Sequence, residues 1–224
     1  MQYTVHQPPA APEELRQLID DFKFRNRFLN QVQNRFKASA ADIKLITNAY
    51  DWNAELFRGK RRRAGGSFMN QHLVPVTILG MEYYEIADAQ QLAAYLSHDA
   101  IEDFREFIFR YTIANTFGEK SARIVWGATK PKRTMLHKNS LEYLQSVVTQ
   151  IENGGPECVF MKCNADRLHN MLTLWGTPKK KRWKIWETEQ YYVPLARKYG
   201  FPVGELQLAI KQQRERLHIN DVHQ

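Results

Sequence analysis

Apolar residues recur at helical spacing along most of this 224-residue chain, and this periodicity restricts its fold more than any other feature. We find no convincing run in which apolar and polar residues alternate, as they do in a half-buried β-strand. The apolar residues that follow Pro12 fall on one helical stripe: Leu15, Leu18, Ile19, Phe22, Leu29, Val32 and Phe36. A second stripe comprises Ile43, Ile46, Tyr50 and Leu56. The sequence therefore predicts an all-α fold.

Glycine and proline residues predict where individual helices end or bend. Gly118 follows residues 106–117, whose pattern predicts a helix, and glycine commonly lies just after a helix. Another helix is predicted from about residue 72 to residue 80. It contains Pro75, which has no backbone N–H, so we expect this proline near the first turn. Because we find neither an internal repeat nor a low-complexity linker, the pattern predicts a single all-α domain.

Composition restricts the class of protein further. Hydrophobic residues make up 43% of the chain and charged residues 25%, a balance typical of soluble domains. No apolar run reaches the roughly 18–20 residues that a membrane span needs. The polar segment from Met1 to Pro12 lacks the apolar stretch of a signal peptide. We therefore expect a cytoplasmic protein without membrane contact, in which Cys158 and Cys163 are reduced packing thiols.

The formal net charge is +8, and part of the positive charge is clustered. The two clusters are Arg58, Lys60, Arg61, Arg62 and Arg63, and then Lys179, Lys180, Lys181, Arg182 and Lys184. Such clusters attract anionic partners over long distances, although an isolated one is commonly just a solvated surface. A phosphorylated substrate and a nucleic acid both fit this charge, so charge alone does not choose between them.

One short segment, residues 97–103, combines an imidazole with three carboxylates. On a helix His98 shares a face with Glu102, and Asp99 with Asp103, because residues four apart are neighbours. Three carboxylates so close together repel one another unless a positive charge lies among them. Imidazole and carboxylate together suit a divalent metal ion. Taken alone, the segment fits either a metal site or the solvated acidic end of a helix.

A second polar segment, residues 164–171, lies in an otherwise apolar predicted helix. Polar groups on a buried helix cost several kcal/mol (roughly 2–7) unless they are paired or bound to a metal. Asp166 could supply a carboxylate from this second helix, and Asn170 lies one turn further on the same face. His72 lies on a third predicted helix, just after a loop rich in arginine and glycine. The positions of Asp166 and His72 on two further helices therefore support the interpretation as a metal site.

In this order, His72, the pair His98-Asp99 and Asp166 resemble the H…HD…D signature of the HD superfamily of metal phosphohydrolases. Further motifs narrow the resemblance to the hydrolase domain of RelA/SpoT-type alarmone enzymes. They are HDxxED at residues 98–103, VWGATK at 125–130, ADRLHNM at 165–171 and PLARKYG at 194–200. The resemblance extends from about Arg58 to Phe201. Four ordered motifs are far more specific than the HD pair alone.

The resemblance implies both a fold and an activity. We expect an HD-domain helical bundle at residues 41–224, with residues 1–40 as a helical extension packed on it. The implied reaction is hydrolysis of (p)ppGpp at its 3′ side to GDP or GTP plus pyrophosphate, with Mn²⁺ as cofactor. Because no residues remain for the synthetase domain of the long enzymes, the chain is similar to stand-alone small alarmone hydrolases. Some of these are antidotes to toxic alarmone synthetases, and some remove pyrophosphate from the 3′ end of modified tRNA.

The same resemblance implies roles for individual residues. The metal ligands are His72, His98, Asp99 and Asp166. Glu102 and Asp103 match acids that position or deprotonate the attacking water, or else orient a metal-bound histidine. The residues expected to contact base, nucleoside or phosphate are Arg62, Arg63, Lys130, Lys162, Asn170 and Thr173. His169 is expected to pack or hydrogen-bond outside the ligand set.

Three features depart from the family pattern, and none of them removes a metal ligand. The loop that leads to His72 is one residue out of register, so Arg62 and Arg63 have no individual assignment. Trp126 replaces a residue that is often acidic, and Asn164 stands where an apolar residue is usual. We expect all three features to lie near the substrate pocket.

Two other functions remain open from the sequence. A different HD phosphohydrolase, such as a nucleotidase or nuclease, would release orthophosphate instead of pyrophosphate. A catalytically silent module that senses alarmones or RNA would be expected to lack a ligand or an acid, and none is missing. The ligand set suits manganese, iron and cobalt alike, and no sequence pattern specifies an oligomeric state.

Overall fold

Helices form the regular structure of the protein in a computed structural model, which describes residues 3–62, 65–134 and 139–219. Over these ranges there is no β-strand, and an isolated antiparallel bridge pairs Arg61 with Ser67. In chain order the helices are α1 (Pro12–Phe22), α2 (Arg25–Arg35), α3 (Ala40–Leu56), α4 (69–83), α5 (Ala89–Ser97), α6 (Ala100–Asp103), α7 (Arg110–Phe117), α8 (Glu119–Ala128), α9 (Ser140–Asn153), α10 (156–172), α11 (178–198) and α12 (Gly204–Arg216). The all-α prediction is confirmed.

Helices α4, α10 and α11 each contain π-helical turns, in which the backbone is wider than in an α-helix. In α4 the π turn Met69–Leu73 leads into the α-helical turn Val74–Ile78, which contains Pro75. The Val74 N–H bonds to the Met69 carbonyl, one residue further back than in an α-helix. Pro75 therefore lies in the second turn of α4 and not near the first turn as expected, because the helix begins at Met69, earlier than predicted.

The segment that carries His98 and Asp99 is a break between two helices. Helix α5 ends at Ser97, and α6 begins at Ala100. Between them, Asp99 has φ −96° and ψ −3°, outside the range of a regular α-helix. The expectation that residues 98–103 form one regular helix is therefore wrong, and face relationships based on a four-residue spacing do not apply to His98.

The loop that follows α6 is longer than the sequence indicated. Helix α7 begins at Arg110, not near residue 106 as predicted. It ends before Gly118, as expected, and this glycine has φ 93°, a conformation that side chains with a Cβ rarely adopt. The start of α7 is harder to predict from the sequence than its end, because residues 104–109 contain no side chain that caps the N-terminus of the helix.

Helix α5 is the centre of the bundle. It packs against α3, α4 and α8, and the five successive residues 92–96 are fully buried. A run that is apolar on every face is typical of a helix enclosed by others. Gly80 lets α4 approach closely, since a Cβ there would lie 2.5 Å from the Tyr95 ring. This packing fixes the two helices that carry His72 and lead to His98.

The N-terminal helices share the same core. Helix α1 contacts α4 and α12, and Arg16 Nε donates to the Leu172 carbonyl at the end of α10 (3.1 Å). Phe28 and Val32 of α2 are fully buried. A domain boundary near residue 40 stays a prediction.

Two further features concern the cysteines and the apolar length of the helices. Cys158 and Cys163 are free and buried, and burial raises the pKa of the Cys158 thiol to about 12, which makes it unreactive. Within the described ranges, none of the helices is both long and apolar enough to cross a membrane.

A buried ion pair joins α10 to α11. Arg167 Nη1 and Glu187 Oε2 are 3.1 Å apart, and neither side chain is more than 5% exposed. Lys184 Nζ lies 2.6 Å from the same carboxylate oxygen. Burial acts to raise the pKa of Glu187, but Arg167 and Lys184 outweigh it and lower this pKa to about 2. The pair therefore fixes α11 against the helix that carries Asp166.

We expect Glu187→Gln to lower the free energy of unfolding by about 3–5 kcal/mol, because the buried Arg167 guanidinium loses its countercharge. The pKa of Glu187 is lower in the folded state than its ordinary value of 4.5. Ionisation of Glu187 therefore stabilises the folded state at pH values above 4.5, and this stabilisation is lost as the pH falls toward 2. Urea unfolding at about pH 7 and about pH 3 measures both effects.

The control is Glu55→Gln, which removes a surface carboxylate that pairs with Arg58. Exposed ion pairs contribute about 0–1 kcal/mol, so this variant should unfold nearly as the wild type does. Equal losses in the two variants would contradict a structural role for the Arg167–Glu187 pair.

Candidate metal centre and substrate cavity

Four side chains from separate parts of the chain converge at one point. They are His72 in a π turn of α4, His98 and Asp99 in the break before α6, and Asp166 in the π turn of α10. The Nε2 atoms of the two histidines are 3.1 Å apart. One oxygen of Asp99 lies 3.2 Å from His72 Nε2, and the other lies 3.4 Å from His98 Nε2. Asp166 Oδ1 lies 3.5 Å and 3.8 Å from the same two nitrogens.

This spacing suits a metal ion. Two ligand atoms that are each about 2.0–2.2 Å from one ion lie roughly 3–3.5 Å from each other. Ligand atoms of His72, His98 and Asp166 lie within 4.8 Å of one another in a buried group, and Asp99 contacts both histidines. Transition metals accept such a mixture of imidazole and carboxylate donors. The structure thus brings together all four side chains predicted as ligands.

Contacts behind the two imidazoles fix their orientation. His98 Nδ1 lies 2.8 Å from the Tyr95 carbonyl, so this nitrogen carries the proton and Nε2 presents its lone pair to the cluster. His72 Nδ1 lies 3.1 Å from Nδ1 of the buried His169. The sequence prediction that His169 is outside the ligand set fits this geometry. Its contact with His72 was missed, because no local pattern shows which side chain lies behind another.

The protonation states of the cluster suit metal binding. Burial lowers the pKa of His72 to about 4. For Asp99 and Asp166, burial acts to raise the pKa, but interactions with neighbouring groups outweigh it and hold each pKa below its ordinary value. Those neighbours are chiefly His98 for Asp99 and Lys162 for Asp166. At neutral pH, His72 is therefore neutral and both carboxylates are ionised, the states in which these groups bind metals.

The two predicted catalytic acids border the cluster, and each is paired with a lysine. Glu102 Oε1 lies 3.0 Å from Lys130 Nζ, and Oε2 accepts the Lys130 backbone N–H at 3.2 Å. Asp103 Oδ2 lies 2.9 Å from Lys60 Nζ. Burial raises the pKa of Asp103, and Lys60 opposes this effect. Lys60 was not singled out from the sequence, because nothing distinguishes it from the other cations of its cluster.

Polar contacts link the predicted substrate residues to the cluster. Arg62 Nη2 donates to Asn170 Oδ1 (3.0 Å), and Asn170 Nδ2 donates to Asp166 Oδ1 (2.6 Å). The buried ammonium of Lys162 donates to the other oxygen of Asp166. Thr173 follows on the same side of the site, where its hydroxyl donates to a backbone carbonyl. A ligand that contacts Asn170 would therefore lie one hydrogen bond from Asp166, and a ligand that contacts Arg62 would lie two hydrogen bonds from it.

These side chains line a cavity of about 610 Å³. Every predicted site residue that the structure describes lines it except His98, which is fully buried. Arg63 lies outside the described residues. The lining includes four acids, which are Asp99, Glu102, Asp103 and Asp166, and seven cations, which are Lys60, Arg61, Arg62, Lys130, Lys162, Arg167 and Lys184. This excess of positive charge favours an anionic ligand.

Two of the departures noted in the sequence lie outside the cavity lining. Trp126 lines an adjoining surface groove of about 320 Å³, which shares Lys130 with the cavity. Asn164 is buried, and its amide donates to the Pro202 carbonyl. Neither side chain therefore shapes the substrate cavity directly.

The chain is similar to known proteins both at the level of a family and at the level of individual relatives. The family model described as HD domain matches residues 49–201, which include all four converging side chains. The guanosine-3′,5′-bis(diphosphate) 3′-pyrophosphohydrolase of Aquifex aeolicus is 30% identical over 160 residues, or 69% of this chain and 21% of that protein. GTP pyrophosphokinase rsh of Brucella melitensis is 31% identical over 160 residues, with coverages of 70% and 20%. GTP pyrophosphokinase of Streptomyces coelicolor is 29% identical over 169 residues, with coverages of 73% and 19%. The chain thus spans about a fifth of the length of these relatives.

We expect a divalent transition-metal ion to raise the Tm of the protein, because the ion binds the folded cluster and not the unfolded chain. At about 100 times Kd the gain is about 2.7 kcal/mol, or roughly 5–10 °C for a chain of this length. Differential scanning fluorimetry with Mn²⁺, Co²⁺ and Zn²⁺ in parallel measures this shift.

Asp99→Ala should remove most of the shift. Its side chain is 18% exposed, more than those of the other three ligands, so the substitution costs little packing. His218→Asn is the control, since it removes an exposed imidazole outside the cluster at a position with φ 49°, which asparagine tolerates. The metal-site interpretation does not survive if the wild type shifts no more than Asp99→Ala.

Proposed function

Because this chain belongs to the HD-domain family, we propose that it is a metal-dependent hydrolase that removes pyrophosphate from the 3′ side of a guanine alarmone. The products would be GDP or GTP and pyrophosphate. One observation carries the proposal: two histidines and two aspartates converge beside a cavity whose lining carries seven cations and four acids. The relative from Aquifex aeolicus, named as a 3′-pyrophosphohydrolase of guanosine-3′,5′-bis(diphosphate), supports this choice of substrate.

The metal would be held by His72, His98, Asp99 and Asp166, and we propose Mn²⁺ as the ion. When bound, the ion lowers the pKa of a water ligand and neutralises charge on the phosphoryl group. The buried donor set fits this role, because the neutral form of His72 and the ionised forms of Asp99 and Asp166 are already favoured. His169 holds the His72 ring, and the Tyr95 carbonyl holds the His98 ring.

The two acids beside the cluster would act on the attacking water. Glu102 is fixed by two contacts with Lys130, so it is suited to orient that water. Asp103 has a pKa raised by burial, which brings it closer to the range of an effective general base. We therefore assign proton acceptance to Asp103 and positioning to Glu102.

The remaining lining residues would bind the nucleotide. Lys130 and Lys162 lie beside the acids and the ligand cluster, so they are suited to contact the pyrophosphate that leaves. The guanidinium carbon of Arg62 lies 6.0 Å from the centroid of the Phe68 ring. The same planar guanidinium donates a hydrogen bond to the side-chain amide of Asn170. With Thr173, these two side chains form a polar wall suited to the nucleoside.

A second candidate is removal of pyrophosphate from the 3′ end of tRNA. The observation in its favour is a group of exposed cations, Lys179, Lys180 and Arg182, in the helix whose Lys184 lines the cavity. Binding through such a surface would weaken steeply with salt as counterions are released. For either substrate we propose a cytoplasmic enzyme, with residues 1–40 as an N-terminal extension, that could act as the antidote to an alarmone synthetase.

We expect the purified protein with Mn²⁺ to convert ppGpp to GDP and pyrophosphate, and chelation of the metal to stop the reaction. Separation of the products by anion-exchange chromatography measures the outcome. Orthophosphate as the product would instead indicate a different HD phosphohydrolase. Binding of ppGpp with Mn²⁺ but without turnover would indicate a sensing module.

Asp103→Asn should lower kcat about 10²–10⁴-fold, because the amide cannot accept the proton of the attacking water. The substitution preserves the size of the side chain, so the Tm and the metal-induced shift should stay close to the wild-type values. Asp51→Asn is the control, since Asp51 also pairs with a cation, Arg25, but lies on the exposed surface of α3. A retained rate in Asp103→Asn would reject the acid–base assignment and leave the metal site standing.

A further inference from the structure

The backbone of Lys60 is held at a fixed point beside the cavity. Its N–H donates to the Phe57 carbonyl (3.0 Å), and its carbonyl accepts the Phe68 N–H (3.1 Å). The bridge between Arg61 and Ser67 closes the same loop. The side chain of Lys60 therefore starts from a position that the loop between α3 and α4 determines.

Three aromatic rings surround the Lys60 ammonium, and we call them the Phe box (Phe57, Phe68 and Phe104). The ring centroids lie 4.8 Å from Nζ for Phe104, 5.6 Å for Phe57 and 5.7 Å for Phe68. The rings also pack against one another. Phe57 stacks on Phe68 with ring centroids 4.8 Å apart, and it packs edge-on against Phe104 with centroids 5.0 Å apart. A cation within about 6 Å of an aromatic face is attracted to it. The Phe box thus restricts where the ammonium can lie.

From this position the ammonium contacts Asp103. Lys60 Nζ and Asp103 Oδ2 are 2.9 Å apart, and the two side chains are 33% and 27% exposed. The neighbouring acid, Glu102, has its own lysine, Lys130, which follows α8. The two acids are therefore held by separate cations from separate parts of the fold.

The Phe box also contacts the cluster of predicted metal ligands. The Phe68 ring packs edge-to-face on the His72 ring, with centroids 5.6 Å apart and planes at 85°. Because Phe68 touches both His72 and the Lys60 ammonium, the distance between the ligand cluster and the Lys60–Asp103 pair is set by packed rings. Flexible side chains alone would not fix that distance.

We propose that Lys60 is a positioning residue that holds the Asp103 carboxylate in the orientation from which it acts on the attacking water. The inference rests on the proposed function and adds a residue to it. Lys60 acts through Asp103, so its loss should lower kcat. A lysine that served instead as a phosphate contact would chiefly raise KM when removed.

The test uses the full chain with Mn²⁺ and ppGpp. Lys60→Met keeps an unbranched apolar stem in the Phe box and removes the charge. We expect kcat to fall about tenfold or more, KM to stay within about twofold, and the Mn²⁺-induced shift in Tm to be unchanged. Lys60→Arg keeps a cation that stacks on aromatic rings, and it should recover most of the lost rate.

A double-mutant cycle with Asp103→Asn gives a second, independent readout. If Lys60 acts only through Asp103, the variant Lys60→Met/Asp103→Asn should be no slower than Asp103→Asn alone. Lys198→Met is the matched control, because Lys198 also pairs with a carboxylate, Glu152, and lies 5.9 Å from the Tyr199 ring, away from the cavity. Its kinetics should equal those of the wild type.

The outcomes separate the two proposals. A wild type that leaves ppGpp intact overturns the proposed function, and the role of Lys60 with it. An active wild type with unchanged kcat in Lys60→Met overturns the role of Lys60 alone. The role of Lys60 is also overturned if Lys60→Met raises KM at constant kcat, or if the losses of rate in Lys60→Met and Asp103→Asn add in the double variant. If Lys60→Met fails to fold, Lys60→Gln enters the same cycle under the same criteria.

Discussion

The structure depends on holding two ionised carboxylates, Asp99 and Asp166, within 4 Å of the same two imidazoles inside a helical bundle. Like charges that share these neighbours repel each other where water is scarce. Lys162 offsets part of that repulsion, since its buried ammonium contacts Asp166. Burial acts to lower the pKa of Lys162, but Asp166 outweighs it and raises this pKa, so the lysine stays charged. Asp99 depends on the two histidines instead, and a bound cation would supply the positive charge that neither lysine nor imidazole provides there.

Irregular helices make this convergence possible. His72 and Asp166 lie in π turns, and the His98-Asp99 pair lies where α5 gives way to α6. A π turn rotates the residues that follow it relative to a regular α-helix, and such turns occur frequently at functional sites. The Tyr95 carbonyl near the end of α5 is free to accept His98 Nδ1 because the helix does not continue regularly past Ser97. The surrounding packing of α5 against α3, α4 and α8 stabilises these local departures.

Local sequence patterns predict much of this arrangement, but they do not predict the contacts between distant parts of the chain. The helices follow from apolar stripes, because burial of such a stripe is what makes a marginal helix stable. Asp166 could be predicted as a ligand because it is a carboxylate in an apolar helix. The break at Asp99 and the contact between His169 and His72 arise between helices, so spacing along the chain does not encode them. Lys60 was missed for the same reason, since only the position of Asp103 in space distinguishes it from Arg61.

The cavity separates the charges that attract a ligand from those that serve the chemistry. Three of its acids have lysine partners within the lining, and the fourth, Asp99, contacts the histidines. Arg167 and Lys184 are paired with Glu187 outside the lining, so the surplus positive charge lies with the two arginines that precede α4, Arg61 and Arg62. Salt screens exposed charges far more than buried pairs. Attraction of a polyphosphate by the exposed Arg61 is therefore screened by salt, whereas the buried contact between Lys162 and Asp166 is screened much less.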